Sequence, residues 1–173
     1  HPLQKAIRAA TEETTGETVA GWGVDGCSAP NFAMTVEGLA RAMATFATAR
    51  EGHGARESAM HRLTRAMTRH PELVGGEGQV CTELMRAMNG RVTVKDGADG
   101  VYVAVLPEKG LGIALKIVDG SARAKEAAIT ALLAKIGVLD PAHPEAVKRM
   151  ASVQRNWRGL ETGFIRMADG FPG

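Results

Sequence analysis

The chain has 173 residues, 45% hydrophobic and 23% charged, with a net charge of +2 and 4% aromatic side chains. This composition suits one folded domain with a real core and excludes a disordered chain. Interspersed charge and scarce aromatic rings argue against a nucleic-acid groove, and the apolar runs are too short to span a bilayer.

The first element in chain order is a helix over residues 4–14, with Ile7 and Ala10 as a thin apolar face and Gly16 as its stop. "TVAGWGVDG" (18–26) reads as a short strand ending in a turn. Val36, Leu39, Ala40, Met43 and Ala47 recur at helical spacing and predict a helix over about 32–49. "REGHGAR" reads as a loop. Met60, Leu63 and Met67 mark a further helix, which His70-Pro71 ends. After the Gly-rich "VGGEGQ", Val80, Leu84 and Met88 form one face of a short helix capped by Gly90.

The texture then turns to β. "RVTVK" (91–95), "VYVAVL" (101–106) and "LGIALKIV" (111–118) are separated by "DGADG" and "PEKG", which predicts an antiparallel meander. Both faces of 101–106 are apolar, so it is the central strand. Side chains alternate along 92–95, with Val92 and Val94 on one face and Thr93 and Lys95 on the other. The valines are expected under the helices near 32–49 and 122–136. "SARAKEAAITALLAKIG" is a helix with Ile129, Leu132, Leu133 and Ile136 as its packing stripe, and a last helix starts near Pro144. The fold class expected is α+β, with helices packed on an antiparallel sheet.

Two stretches carry chemistry. Lys95 ends a strand and opens "KDG". Beside a serine, a partly desolvated lysine can act as a base, while a surface lysine before a hairpin turn also explains it. "VDGCSAPN" (24–31) packs turn formers with reactive groups. Cys27 could be a nucleophile, a metal ligand or a small buried hydrophobe. Asp25 could orient a metal or a lysine, or make an Asx-turn, and Ser28 and Asn31 could cap the helix that follows. The five histidines lack ligand spacing, Lys116 reads as a solvated strand lysine, and "GGEGQ" lacks the Gly-Lys-Ser/Thr of a phosphate loop. With only two cysteines, Cys27 and Cys81, a disulfide framework is not expected and a cytoplasmic setting is.

Four blocks together resemble the bacterial asparaginase II family of the serine-lysine type. They are "HPLQ" at 1–4, "GVDGCSAPNFAMTVEGLARAMA" at 23–44, "CTELMRAMNGRVTVKDGADGVYVAVLPEKGLGIALKIVDGSARA" at 81–124, and "NWRG" at 156–159. The resemblance spans essentially the whole chain. It implies a serine β-lactamase-like fold and hydrolysis of L-asparagine to L-aspartate and ammonia through an acyl-enzyme. It also implies a second serine-lysine pair using Lys95, and a zinc site using Cys27, supported by Asp25. The family's nucleophile comes from a Ser-x-x-Lys segment, and its other zinc ligands from a Cys-Ser-Gly-Lys segment. Neither pattern occurs in residues 1–173.

Residues 1–173 are therefore expected to be the C-terminal portion of such a domain, inactive alone and incomplete without an upstream half that carries the first strands. The expected partners are a small amino-acid substrate, the missing N-terminal half and further copies in a homo-oligomer, with no nucleic acid and no membrane. Two other readings stay open: an amide or ester hydrolase of the penicillin-recognising fold, and a non-catalytic partner-binding domain.

Overall fold

A computed structural model describes residues 1–171 of the chain. Helix α1 (Pro2–Thr15) ends at Gly16, whose left-handed backbone lets its N–H reach the Glu12 carbonyl. A small hairpin follows, β1 (Trp22–Val24) against β2 (Pro30–Phe32). Helix α2 (Val36–Thr48) begins at Thr35, whose Oγ1 accepts from the Gly38 N–H at 2.9 Å. Thr35 also donates its own N–H and hydroxyl to Glu17, which ties the start of α2 to the segment after α1.

The expected helix start at 32 is thus corrected. Pro30 and Asn31 lie in a strand, and Thr35, not Ser28 or Asn31, is the cap. Helix α3 (Ala55–Arg69) ends at His70 as expected, but its buried positions are Met60 and Thr64, while Leu63 is exposed. A short α4 (Pro71–Gly75) precedes α5 (Val80–Ala87).

The three predicted strands form one antiparallel sheet in the order β3 (Thr93–Gly97), β4 (Val101–Leu106), β5 (Leu111–Lys116), with β4 central. The register sets Val94 opposite Ala104 and Asp96 opposite Tyr102. Helices α6 (Ala122–Lys135) and α7 (Pro144–Met150) follow, then a second hairpin of β6 (Ser152–Arg155) and β7 (Glu161–Ile165).

The core lies between α5, α6, α7 and one face of the sheet. Leu84, Met85 and Met88 of α5 meet Ile129 and Leu133 of α6, Ala146 of α7, and Val94, Tyr102, Ala104 and Leu106 of the sheet. Arg149 of α7, itself buried, clamps this layer by donating to Glu145 on its own helix and to Glu83 on α5.

The opposite face carries Thr93, Val105 and Gly112, with α2 against β4 and β5 and α3 against β3. At Gly112 the approach is so close that an added Cβ would lie 2.2 Å from the Ala40 carbonyl oxygen and the Ala44 nitrogen. Val92 and Val94 therefore belong to the core formed with α5, α6 and α7, to which α2 contributes no residue, and the expectation that α2 shares them is corrected. No helix among the described residues is long and apolar enough to cross a membrane.

Candidate functional site

Residue alternation in β3 should separate Lys95 from Asp96, yet a flexible lysine stem reunites them. Lys95 Nζ folds back to donate to the Asp96 carbonyl oxygen at 2.8 Å and to Asp96 Oδ1 at 3.0 Å. The Lys95 side chain is 48% exposed, so the partly desolvated amine expected from sequence is instead a solvent-facing amine anchored to a carboxylate.

Behind Asp96 stands a buried layer. Lys125, in the first turns of α6, donates to Asp96 Oδ2 at 3.2 Å and to the Gly97 carbonyl oxygen at 3.2 Å. Its side chain is 10% exposed, and its ammonium lies 5.9 Å from the centre of the Tyr102 ring. The Cys81 thiol sits 3.5 Å from Asp96 Oδ1 and 3.1 Å from the Tyr102 hydroxyl. A cavity of about 50 Å³ opens beside this group, lined in part by Gln79, Cys81, Asp96, Tyr102 and Glu126.

The charges follow from these contacts. Burial pushes the Asp96 carboxyl up, but hydrogen bonds from Lys95 and Lys125 outweigh it and hold the group down at about 2. Burial pushes the Cys81 thiol up, only partly offset by the Tyr102 hydroxyl, and burial pushes the Tyr102 phenol up as well. At neutral pH both groups are thus uncharged donors beneath an ionised carboxylate.

Cys27 and Asp25 lie elsewhere, on the exposed loop between β1 and β2. The Cys27 thiol is 3.6 Å from Asp25 Oδ2, while Asp25 Oδ1 accepts from the Gly26 N–H at 2.8 Å. The structure joins these two residues to each other. No hydrogen bond links them to Lys95 among the described residues, whose bonds from Nζ go to Asp96, and no serine is bonded to that amine.

A thiolate and a carboxylate are both competent zinc donors, but a zinc site takes at least three protein ligands. Among the described residues no group of three His, Cys, Asp or Glu side chains is placed to hold an ion. The described residues therefore do not complete a zinc site.

Asp96, Lys125 and Tyr102 were not legible as site residues. One signal was available: α6 has no acidic residue in its first turn and carries Lys125 near its positive end, where a cation is disfavoured.

Across this geometry, the family model described as L-asparaginase II matches residues 1–167. The chain belongs to the L-asparaginase II family. The matched span includes the hairpin loop with Asp25 and Cys27 and the whole Lys95–Asp96–Lys125 cluster. The activity indicated at family level is that of an asparaginase-like hydrolase. No curated protein matches the chain.

Proposed function

We propose that the chain serves the hydrolysis of L-asparagine to L-aspartate and ammonia, with Lys95 moving the proton of a serine nucleophile. The observation that carries this reading is the Lys95 amine. It is held at the end of β3 by two hydrogen bonds to Asp96 yet faces solvent, inside the span matched to the family. In this reading the serine comes from a Ser-x-x-Lys segment outside these residues. Its oxygen attacks the amide carbon, the Lys95 amine takes the hydroxyl proton and delivers it to the leaving nitrogen, and ammonia departs. Water then cleaves the ester, its proton returns to the serine oxygen by the same amine, and aspartate is released. Cys27 would be one ligand of a zinc ion whose remaining ligands come from the same outside region, and the proton path above does not pass through it.

Lys95→Met keeps the side-chain length and removes the amine. In the active enzyme that contains this chain it should lower asparagine turnover by roughly 10²–10⁴-fold, the usual worth of a general base, with little loss of stability. Lys116→Met removes an exposed lysine that donates to the Ile117 carbonyl at the far strand, and should do much less. Near-normal turnover in Lys95→Met removes the residue from the mechanism. Parallel assays with glutamine and a chromogenic β-lactam separate an asparaginase from other hydrolases of this fold.

A further inference from the structure

Lys125 is a buried charge in an unfavourable place. It sits in the first turns of α6, where the helix dipole opposes a cation, and it is 8% exposed as a residue. Both features are unfavourable. What Lys125 gains is two specific contacts on the last two residues of β3, Asp96 Oδ2 and the Gly97 carbonyl. Local rules broken with a defined compensating contact mark positions kept for function.

The same carboxylate offers its other oxygen, Oδ1, to Lys95. One Asp96 side chain therefore connects a buried ammonium to an exposed one. Lys95 is a long side chain on a strand end, with many rotamers open to it in solvent. Asp96 is fixed in turn by Lys125 on one oxygen and by the Cys81 thiol on the other. We propose that Lys125 is a positioning residue for Lys95: by fixing the Asp96 carboxylate and the end of β3, it holds the reacting amine at one place in the site. This rests on the assignment of Lys95 to the reaction. Lys125 itself touches no reacting atom.

The test is made in the active enzyme that contains this chain, with asparagine as substrate. Lys125→Met removes the buried charge and leaves Asp96 paired with Lys95, so the fold should hold. The double variant Asp96→Asn/Lys125→Met removes both charges together and leaves no unpaired ion buried. In each, kcat should fall by about ten- to a hundredfold, the scale of an ångström of misplacement, while KM stays within about threefold. Neither change should lower turnover further when combined with Lys95→Met.

A structural role alone predicts another pattern: Lys125→Met loses thermal stability and activity together, and wherever stability is retained kcat is within about threefold of the parent. That pattern overturns the inference while leaving the assignment of Lys95 intact, provided Lys95→Met is itself impaired. An unimpaired Lys95→Met overturns the assignment of Lys95 first, and this inference with it. Additive losses in the Lys95→Met background also overturn the inference, because Lys125 would then act by another route.

Discussion

Asp96 sits between two opposing demands. Burial favours its protonated form, and the two ammonium groups favour its charged form and win, which carries the group from 3.8 down to about 2. A carboxyl whose folded value lies below its unfolded value adds stability that is fully present above the unfolded value and lost as pH falls through the folded one. For Asp96 the loss runs from about pH 4 to about pH 2. The difference corresponds to roughly 2 kcal/mol, but the side chain is 44% exposed, and solvent screening reduces it to about 1 kcal/mol. Urea unfolding midpoints measured at stepped pH should therefore fall less steeply between pH 4 and pH 2 in Asp96→Asn/Lys125→Met than in the parent. Equal slopes in the two proteins would mean that the paired charge contributes nothing to acid stability.

The elements divide by how much of their logic is local. The meander was legible because β4 is apolar on both faces and glycine-containing turns flank it, and the observed register follows directly. The α1 stop at Gly16 and the α3 stop at His70-Pro71 are local chemistry too. The β1–β2 hairpin was not legible as a pair: its strands are three residues long, too short for alternation to show, and only the first suggested a strand. The side of the sheet that α2 covers was misread for a related reason. Apolar stripes report that a helix packs, not against which face, and the deciding residue is Gly112, where a missing side chain makes room for the α2 backbone. The Asp96–Lys125 pair was hidden because it joins residues 29 positions apart, and each reads alone as a solvated charge. Gly112→Ala tests the packing argument. Its methyl would lie 2.2–2.6 Å from backbone atoms of Ala40, Ala44 and Met43, which cannot rotate away. The helix must lift from the sheet, at a cost of about 3 kcal/mol or more. A thermal midpoint unchanged from the parent would show that α2 does not sit as described.

For the whole molecule, the sheet has two outer strands, and they are not equivalent. Edge strands present unpaired backbone groups to any second strand, and charged side chains are a common protection. β3 carries Lys95 and Asp96 at its end and has α3 and α5 against it. β5 reads "LGIALK", with its one charge at the last position, and exposed Leu111 and Val118 bracket it. Among the described residues no other strand pairs with it. Further apolar side chains stand in solvent elsewhere, including Trp22 and Val24 on the first hairpin and Trp157 and Phe164 on the second; the strands of these hairpins also have an unpaired edge each, but a shorter one than β5. The edge of β5 is therefore a surface on which a second copy of this chain would add backbone hydrogen bonds as well as apolar contact. Sedimentation of the chain at rising concentration should show a growing average mass. Leu111→Lys should return it toward the monomer without lowering the thermal midpoint, because Leu111 is already 45% exposed and a lysine there blocks an incoming strand rather than emptying the core. If the mass is independent of concentration, the edge is inert. If Leu111→Lys associates as strongly as the parent, the contact lies on another surface, and the exposed Trp157 of the second hairpin is the next to replace.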